Sequence, residues 1–264
     1  MKSNIIFLDT NILSELAERE SLWSSFGHFL IDNNLTIGLS TQLHEIQRYP
    51  KNFELLTEFF KVMPVAILKT GDVIIKEEVE SHPYYRSGSI CTYFVPPWET
   101  EEFMERAMGS ENIKIANGET QKLGNLFPSL LEDRKPNFPV ASSGKYEFEQ
   151  LDEYAFACLG QTLVRDYPNF YRSFEGRLNE FKPRVFLSQR CVSAAIFYDY
   201  YVLKHKPKIS DAGDHHHKFI IPYCKIAVLE RHASDILHLI QKKTNILNNT
   251  EIYNIDFLKT FSRN

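Results

Sequence analysis

No stretch of this 264-residue chain stays apolar for the roughly 20 residues that a membrane span requires, so no spanning helix is expected. Cysteine is sparse. Cys91, Cys158, Cys191 and Cys224 are far apart and form no CxxC pair, which argues against a zinc knuckle or a dense disulfide framework and for reduced packing residues. With only 11 Gly and 12 Pro, the chain is neither collagen-like nor low-complexity. It also lacks GxGxxG, GxxxxGK[ST] and GxSxG, the patterns behind the usual dinucleotide, P-loop and nucleophile-elbow arguments. Ahead of the short apolar run near the N-terminus stands one basic residue, Lys2, and the run is too short for a secretory signal. A reducing, cytoplasmic setting is the resulting expectation.

What is present is a globular composition, 43% hydrophobic and 24% charged, in a chain long enough for one large domain. The net charge of −4 hides an asymmetry. Residues 1–70 carry 6 basic and 8 acidic side chains, residues 71–160 carry 8 and 16, and residues 161–264 carry 16 and 10. The acidic middle and basic last third allow a polyanionic partner at the C-terminal end, although a solvated basic face has the same composition.

Patterning divides the chain similarly. The apolar runs 4–9, 35–39 and 65–68 read as strands, separated by helical spacing over 10–32 and 52–63 and a helix from Ser40 to about Tyr49 that Pro50 closes. Late in the chain, helical patterns over 184–203, 211–221 and 232–241 surround strand candidates 226–229 and 251–254. Strand and helix alternating in this way predict a three-layer α/β/α fold with a central parallel sheet. The rhythm is lost over 71–183. That block reads as a mostly helical insertion without strands, with helices at 72–81, 99–108 and 147–166, an aromatic turn-rich stretch at 84–98, and a loop at 125–144. The expected organisation is one domain over 1–264, its core built from 1–70 and 184–264.

In an open parallel sheet, ligands bind beyond the carboxyl ends of the strands. Asp9 ends the first strand and Glu230 ends the strand 226–229, so if those strands are neighbours their carboxylates share a crevice. Glu45 lies about one turn into the helix after the second strand, and Asp211 and Asp214 open the helix before the late strand. Each acid alone has an ordinary explanation as a cap, a dipole partner or an exposed glutamate.

Together, Phe7-Leu8-Asp9-Thr10-Asn11-Ile12-Leu13, Gly38-Leu39-Ser40-Thr41-Gln42-Leu43-His44-Glu45-Ile46, Asp211-Ala212-Gly213-Asp214-His215-His216-His217 and Ile221-Pro222-Tyr223-Cys224-Lys225-Ile226-Ala227-Val228-Leu229-Glu230-Arg231 resemble the scattered signature of PIN-domain proteins. The resemblance covers about residues 1–70 and 184–264. It implies a ribonuclease fold whose acids hold Mg²⁺ or Mn²⁺, with Asp9, Glu45, Asp214 and Glu230 as catalytic and metal-binding residues and Asn11, Asp211 and His217 in support. By family association it also implies single-stranded RNA as substrate, a toxin or defence role, and an antitoxin or a second copy of the chain as protein partner. Hard divalent cations take oxygen ligands, which is the reason such chemistry wants clustered carboxylates. Glu230 stands where the family more often has Asp, and Lys225 where similar sequences often carry an aspartate. These departures support an alternative, a degenerate PIN-like domain that binds RNA or a protein partner without cutting. A small-molecule enzyme with the insertion as a lid is a third class.

Other features are less specific. Neighbouring helical residues point about 100° apart, so His215, His216 and His217 cannot all face one ion. Lys182, Arg184, Arg190, Lys204, Lys206 and Lys208 flank the 184–203 helix and are candidates for RNA phosphate contacts. Tyr198, Tyr200 and Tyr201 are either base-stacking surfaces or core residues.

Overall fold

The computed structural model describes residues 4–40, 42–46, 50–107, 110–208 and 210–262. In chain order its strands are β1 (Ile5–Leu8), β2 (Thr36–Leu39), β3 (Val65–Leu68), β4 (Cys91–Val95), β5 (Ile226–Leu229) and β6 (Glu251–Asn254). The helices are α1 (Thr10–Glu18), α2 (Trp23–Asp32), α3 (Gln42–Ile46), α4 (Pro50–Val62), α5 (Gly71–Ser81), α6 (Thr100–Ala107), α7 (Ser110–Asp133), α8 (Leu151–Asp166), α9 (Pro168–Arg172), α10 (Leu187–Ile196), α11 (Asp211–His217) and α12 (Arg231–Lys243). Among the described residues no helix is long and apolar enough to cross a membrane.

The strands form one sheet in the order β4-β3-β2-β1-β5-β6, parallel except for antiparallel β4. β1 explains the layering. All four of its residues are buried and alternate between two cores, as strand geometry requires. Ile5 and Phe7 join a core with Ala227, Leu237 and Ile240, whereas Ile6 and Leu8 join one with Leu13, Phe26 and Phe59. Helices therefore cover both faces, giving the three-layer α/β/α architecture. At Gly38, in β2, a Cβ would come within 2.6 Å of Ile5 and 2.7 Å of Leu68, so the close approach of three strands needs the missing side chain.

The middle block departs from expectation at two places. β4 lies inside the stretch read as turns, and it extends the central sheet as an edge strand. Its central side chains are exposed, including Tyr93 and Phe94, so it carries no burial period to recognise. The expected loop 125–144 begins inside helix α7, which runs through Pro128 to Asp133. A helical proline costs about 3 kcal/mol. Phe127 and Leu131, beside it, bury their side chains in the first core, and two such burials at about 1.5–3 kcal/mol each offset that cost. With Leu151, Tyr154 and Cys158 they make the insertion continuous with the domain core. Cys158, Cys191 and Cys224 are buried and free, and Cys91 is free and half-buried.

Helix boundaries also differ: the expected 211–221 helix stops at His217, and a separate tight turn follows over Ile221–Tyr223. The pattern over 10–32 breaks into α1 and α2 at a tight turn over Glu20–Leu22, where Arg19 leaves helical geometry. Pro50 opens α4 instead of closing a helix, a position where its missing N–H costs nothing. The expected end of the preceding helix near Tyr49 lies outside the described residues. The 184–203 pattern becomes α10 followed by a π-helical turn over Phe197–Val202, a wide turn that recurs at functional sites.

Candidate functional site

β1 pairs with β2 on one side and β5 on the other, so strand order reverses at β1 and a crevice opens beyond the carboxyl ends of β1 and β5. A cavity of about 700 Å³ lies there, and Asp9, Glu45, Asp214 and Glu230 all line it. The residues predicted from four separated segments thus meet in one place. Asn11, Asp211 and His217 line the same cavity.

Local structure places each one. Asp9 follows β1, donates its backbone N–H to Val228 at 2.9 Å, and caps α1 by accepting the Thr10 N–H at 2.9 Å. It is therefore both a cap and a site residue. Glu230 leaves β5 in extended geometry as the residue before α12, and its carboxylate accepts from the Asn11 amide. Glu45 accepts from the Thr10 hydroxyl, and His217 Nε2 stands 3.7 Å from it. Asp214 sits in α11, where the Lys218 ammonium donates to its carbonyl at 2.9 Å. Asp211 turns partly away, accepting from the Tyr200 hydroxyl at 2.8 Å and the Lys208 N–H at 2.9 Å.

The electrostatics are those of crowded carboxylates. Burial raises the Asp9 pKa, with Glu230 and Glu45 adding repulsion against the opposing pull of His217 and the Thr10 N–H. Asp214 reaches solvent through the cavity, yet surrounding protein atoms still desolvate it. That desolvation, with Asp9 and Glu45 adding to it and Lys218 opposing, pushes its pKa up to about 6. Lys218 is fully buried and its pKa is lowered by burial, with Asp214 opposing. Among the described residues neither Asp9, Asp214 nor Glu230 is ion-paired with a lysine or arginine. Oxygen donors are what hard divalent cations take, but among the described residues the three-residue group whose ligand atoms lie within 4.8 Å of one another is Asp199, His205 and His232, so the four carboxylates share the cavity without forming so close a set.

Some expected contributors are elsewhere. Arg190 is fully buried, ion-paired to Asp152 at 2.9 Å and seated over the Phe156 ring, so it cannot meet a phosphate backbone. Lys206 and Lys208 line the cavity, whereas Lys182, Arg184 and Lys204 are exposed but not part of its wall. Tyr201 packs against Tyr154 and donates to Leu131, Tyr198 packs against Phe148, and Tyr200 packs against Phe127 and His215. Tyr198 and Tyr201 thus have packing roles, whereas Tyr200, which also donates to Asp211, lines the cavity. His215 and His217 are buried in different directions, His215 against Tyr200 and His217 against Phe7, as the 100° spacing required. Lys225 precedes β5, at the opposite end of the strand from Glu230, and donates to the Asn33 carbonyl at 3.2 Å, so it has no part in the site.

Sequence reasoning passed over two groups. Gln42 is fully buried, donates to the Leu8 carbonyl at 3.0 Å and accepts the Ser40 N–H at 2.7 Å, thereby locking the helix that carries Glu45 to the ends of β1 and β2. A glutamine two residues after Ser40 was the available signal. Asp199, His205 and His232 form a second polar group on the cavity wall. Comparison of the chain with known families, curated proteins and solved structures gives no match.

Proposed function

We propose that the chain is a PIN-like, divalent-metal-dependent endoribonuclease acting on single-stranded RNA. The observation that carries this reading is the convergence of Asp9, Glu45, Asp214 and Glu230 in one cavity at the β1/β5 switch point. Asp9 and Asp214 would hold Mg²⁺ or Mn²⁺ most directly, with Glu45 and Glu230 completing the oxygen set. When bound, such an ion supplies charge neutralisation at the phosphate and a water of lowered pKa. The chain's own residues do the positioning. Thr10 orients Glu45, Asn11 orients Glu230, and Gln42 holds the Glu45 helix against the strand ends. Lys206 and Lys208, on the cavity wall, would meet the RNA backbone and offset the repulsion between polyanion and acidic cluster. A toxin or defence setting, with an antitoxin or a second copy of the chain as partner, belongs to the same proposal by family resemblance.

The test is cleavage of single-stranded RNAs of varied sequence by purified protein. Cutting with Mn²⁺ or Mg²⁺ should stop on chelation and disappear in Asp9→Asn and Asp214→Asn with the fold intact. RNA binding without metal-dependent cutting would instead support a degenerate binder, and neither binding nor cutting would sink the RNA reading.

A further inference from the structure

The same cavity that the carboxylates line carries a second, different donor set. Asp199 lies in the π-helical turn and is only 7% exposed, a buried acid whose Oδ1 is met by two imidazoles. His205 Nδ1 stands 3.3 Å from that oxygen and His232 Nε2 stands 2.8 Å from it, and one ligand atom from each of the three residues lies within 4.8 Å of the others. The three come from separate pieces of backbone, and each is held in place. The wide turn sets Asp199. His205 follows Lys204, whose φ of 58° is the left-handed conformation that non-glycine residues rarely adopt, and the His205 N–H returns to the Asp199 carbonyl at 3.0 Å. His232 stands in the first turn of α12, two residues beyond Glu230. The left-handed Lys204 and the bond from the His205 N–H are an ordinary helix C-cap, and the cap places the His205 imidazole beside the buried acid.

We infer that Asp199, His205 and His232 form a second metal site, for a Zn²⁺-class transition-metal ion, separate from the all-carboxylate cluster. The chemistry distinguishes the two. Two imidazoles with one carboxylate suit zinc and its neighbours, whereas oxygen-only sets suit Mg²⁺ and Mn²⁺. The spacing also fits. Ligand atoms at zinc bond lengths of about 2.0–2.2 Å in a tetrahedron stand about 3.3–3.5 Å apart; the His205–Asp199 pair at 3.3 Å already has that spacing, and His232, hydrogen-bonded to Asp199 at 2.8 Å, would draw back by about 0.5 Å to admit the ion. His232 and His205 are about half exposed, with side-chain exposures of 55% and 49%, which leaves the fourth position open toward the cavity. His215, whose Nε2 is 3.8 Å from the other Asp199 oxygen, closes the inner side. With three protein ligands and an open position, the site has the make-up of a reactive or ligand-binding zinc centre and not of a closed structural one. This inference does not depend on nuclease activity.

The test uses the full chain without a polyhistidine tag, stripped with chelator and titrated with Zn²⁺ by calorimetry and with Co²⁺ by visible absorption. Saturable binding of one Zn²⁺ is expected in the Asp9→Asn/Asp214→Asn double variant, where the carboxylate cluster does not compete. It should weaken at least about 100-fold when His205→Gln/His232→Gln is added to that variant, more than loss of an outer hydrogen-bond partner costs. Both histidines are well exposed, so the combined variant should fold, which circular dichroism checks. If it does not, protection of His205 and His232 in the wild-type chain from diethyl pyrocarbonate by Zn²⁺ decides instead. No saturable Zn²⁺ binding in the Asp9→Asn/Asp214→Asn background, binding in that background that survives the histidine changes, or no protection would overturn the site.

Discussion

The backbone N–H of Asp9 donates to the carbonyl of Val228 across the β1/β5 pair at 2.9 Å. This single bond puts the end of β1 beside the end of β5, and so brings Asp9 within reach of Glu230, which is 221 residues later in the chain. Burial there raises the pKa of Asp9, and repulsion from Glu230 and Glu45 adds to it.

Desolvation of Asp214 predicts a pH dependence for metal binding. Asp214, with its pKa near 6, must lose its proton to serve as a ligand, so proton and cation compete. Mn²⁺ affinity measured by calorimetry should be flat above pH 7 and fall about tenfold per pH unit below 6. Affinity constant down to pH 5 would remove Asp214 from the ligand set. Asp214→Asn should abolish the pH dependence along with most of the binding.

Glu78 predicts a pH effect on stability remote from the site. It is fully buried in α5 and accepts from the Ser188 N–H at 2.8 Å, the Ser188 hydroxyl at 2.6 Å and the Tyr223 hydroxyl at 2.5 Å. Those bonds favour the ionised form, but desolvation wins and lifts its pKa from 4.5 to about 7. The folded chain therefore keeps a proton between those values that the unfolded chain has released, and stability from this group falls as pH rises through that window. The loss is on the order of 3 kcal/mol once pH exceeds 7. Denaturant melts at pH 5, 6, 7 and 8 should reveal it, and Glu78→Gln should flatten the trend; an unchanged slope in that variant would assign the effect elsewhere.

Arg190 and the cavity lysines should separate cleanly. Asp152→Ala removes the charged partner of the buried Arg190 guanidinium, leaving it the Arg184 carbonyl and Asn245, and should cost about 1.5–3 kcal/mol in denaturant unfolding without changing RNA affinity. Lys206→Ala/Lys208→Ala should leave stability nearly unchanged and lower the salt dependence of RNA binding by about 1.4 in log–log slope, about 0.7 per lost phosphate contact. An unaltered slope would place the RNA path elsewhere on the surface.

Gln42→Ala removes the two Gln42 side-chain bonds, to the buried Leu8 carbonyl and the part-buried Ser40 N–H, at a cost of about 1–3 kcal/mol in all. Cleavage should drop with it because the Glu45 helix loses its anchor. Normal cleavage in a Gln42→Ala variant of reduced melting temperature would limit Gln42 to a structural role.

How much of this could be read from the chain depends on whether a residue announces itself locally. β1, β3 and β5 are uninterrupted apolar runs because both faces of each are covered, and a run of that kind is legible wherever it falls. Asp9 and Glu230 stand directly after such runs, so their common edge could be anticipated. β4 has no such signal, since an edge strand with exposed central residues resembles a turn-rich loop, and α7 hides behind Pro128.

By itself the sequence determined the alternation of buried strands and amphipathic helices, and the strand-end positions of the acids, because both rest on nearest-neighbour periodicity and local backbone preference. Tertiary structure decided which charges belong together. Arg190 has the same local look as Lys206, yet packing buried the first and left the second on the cavity wall. Asp199 is one acid in a run of aromatics until a wide helical turn, a left-handed residue and the start of α12 bring His205 and His232 to it. Such convergence depends on the three-dimensional path of distant segments, and no period in the chain encodes it.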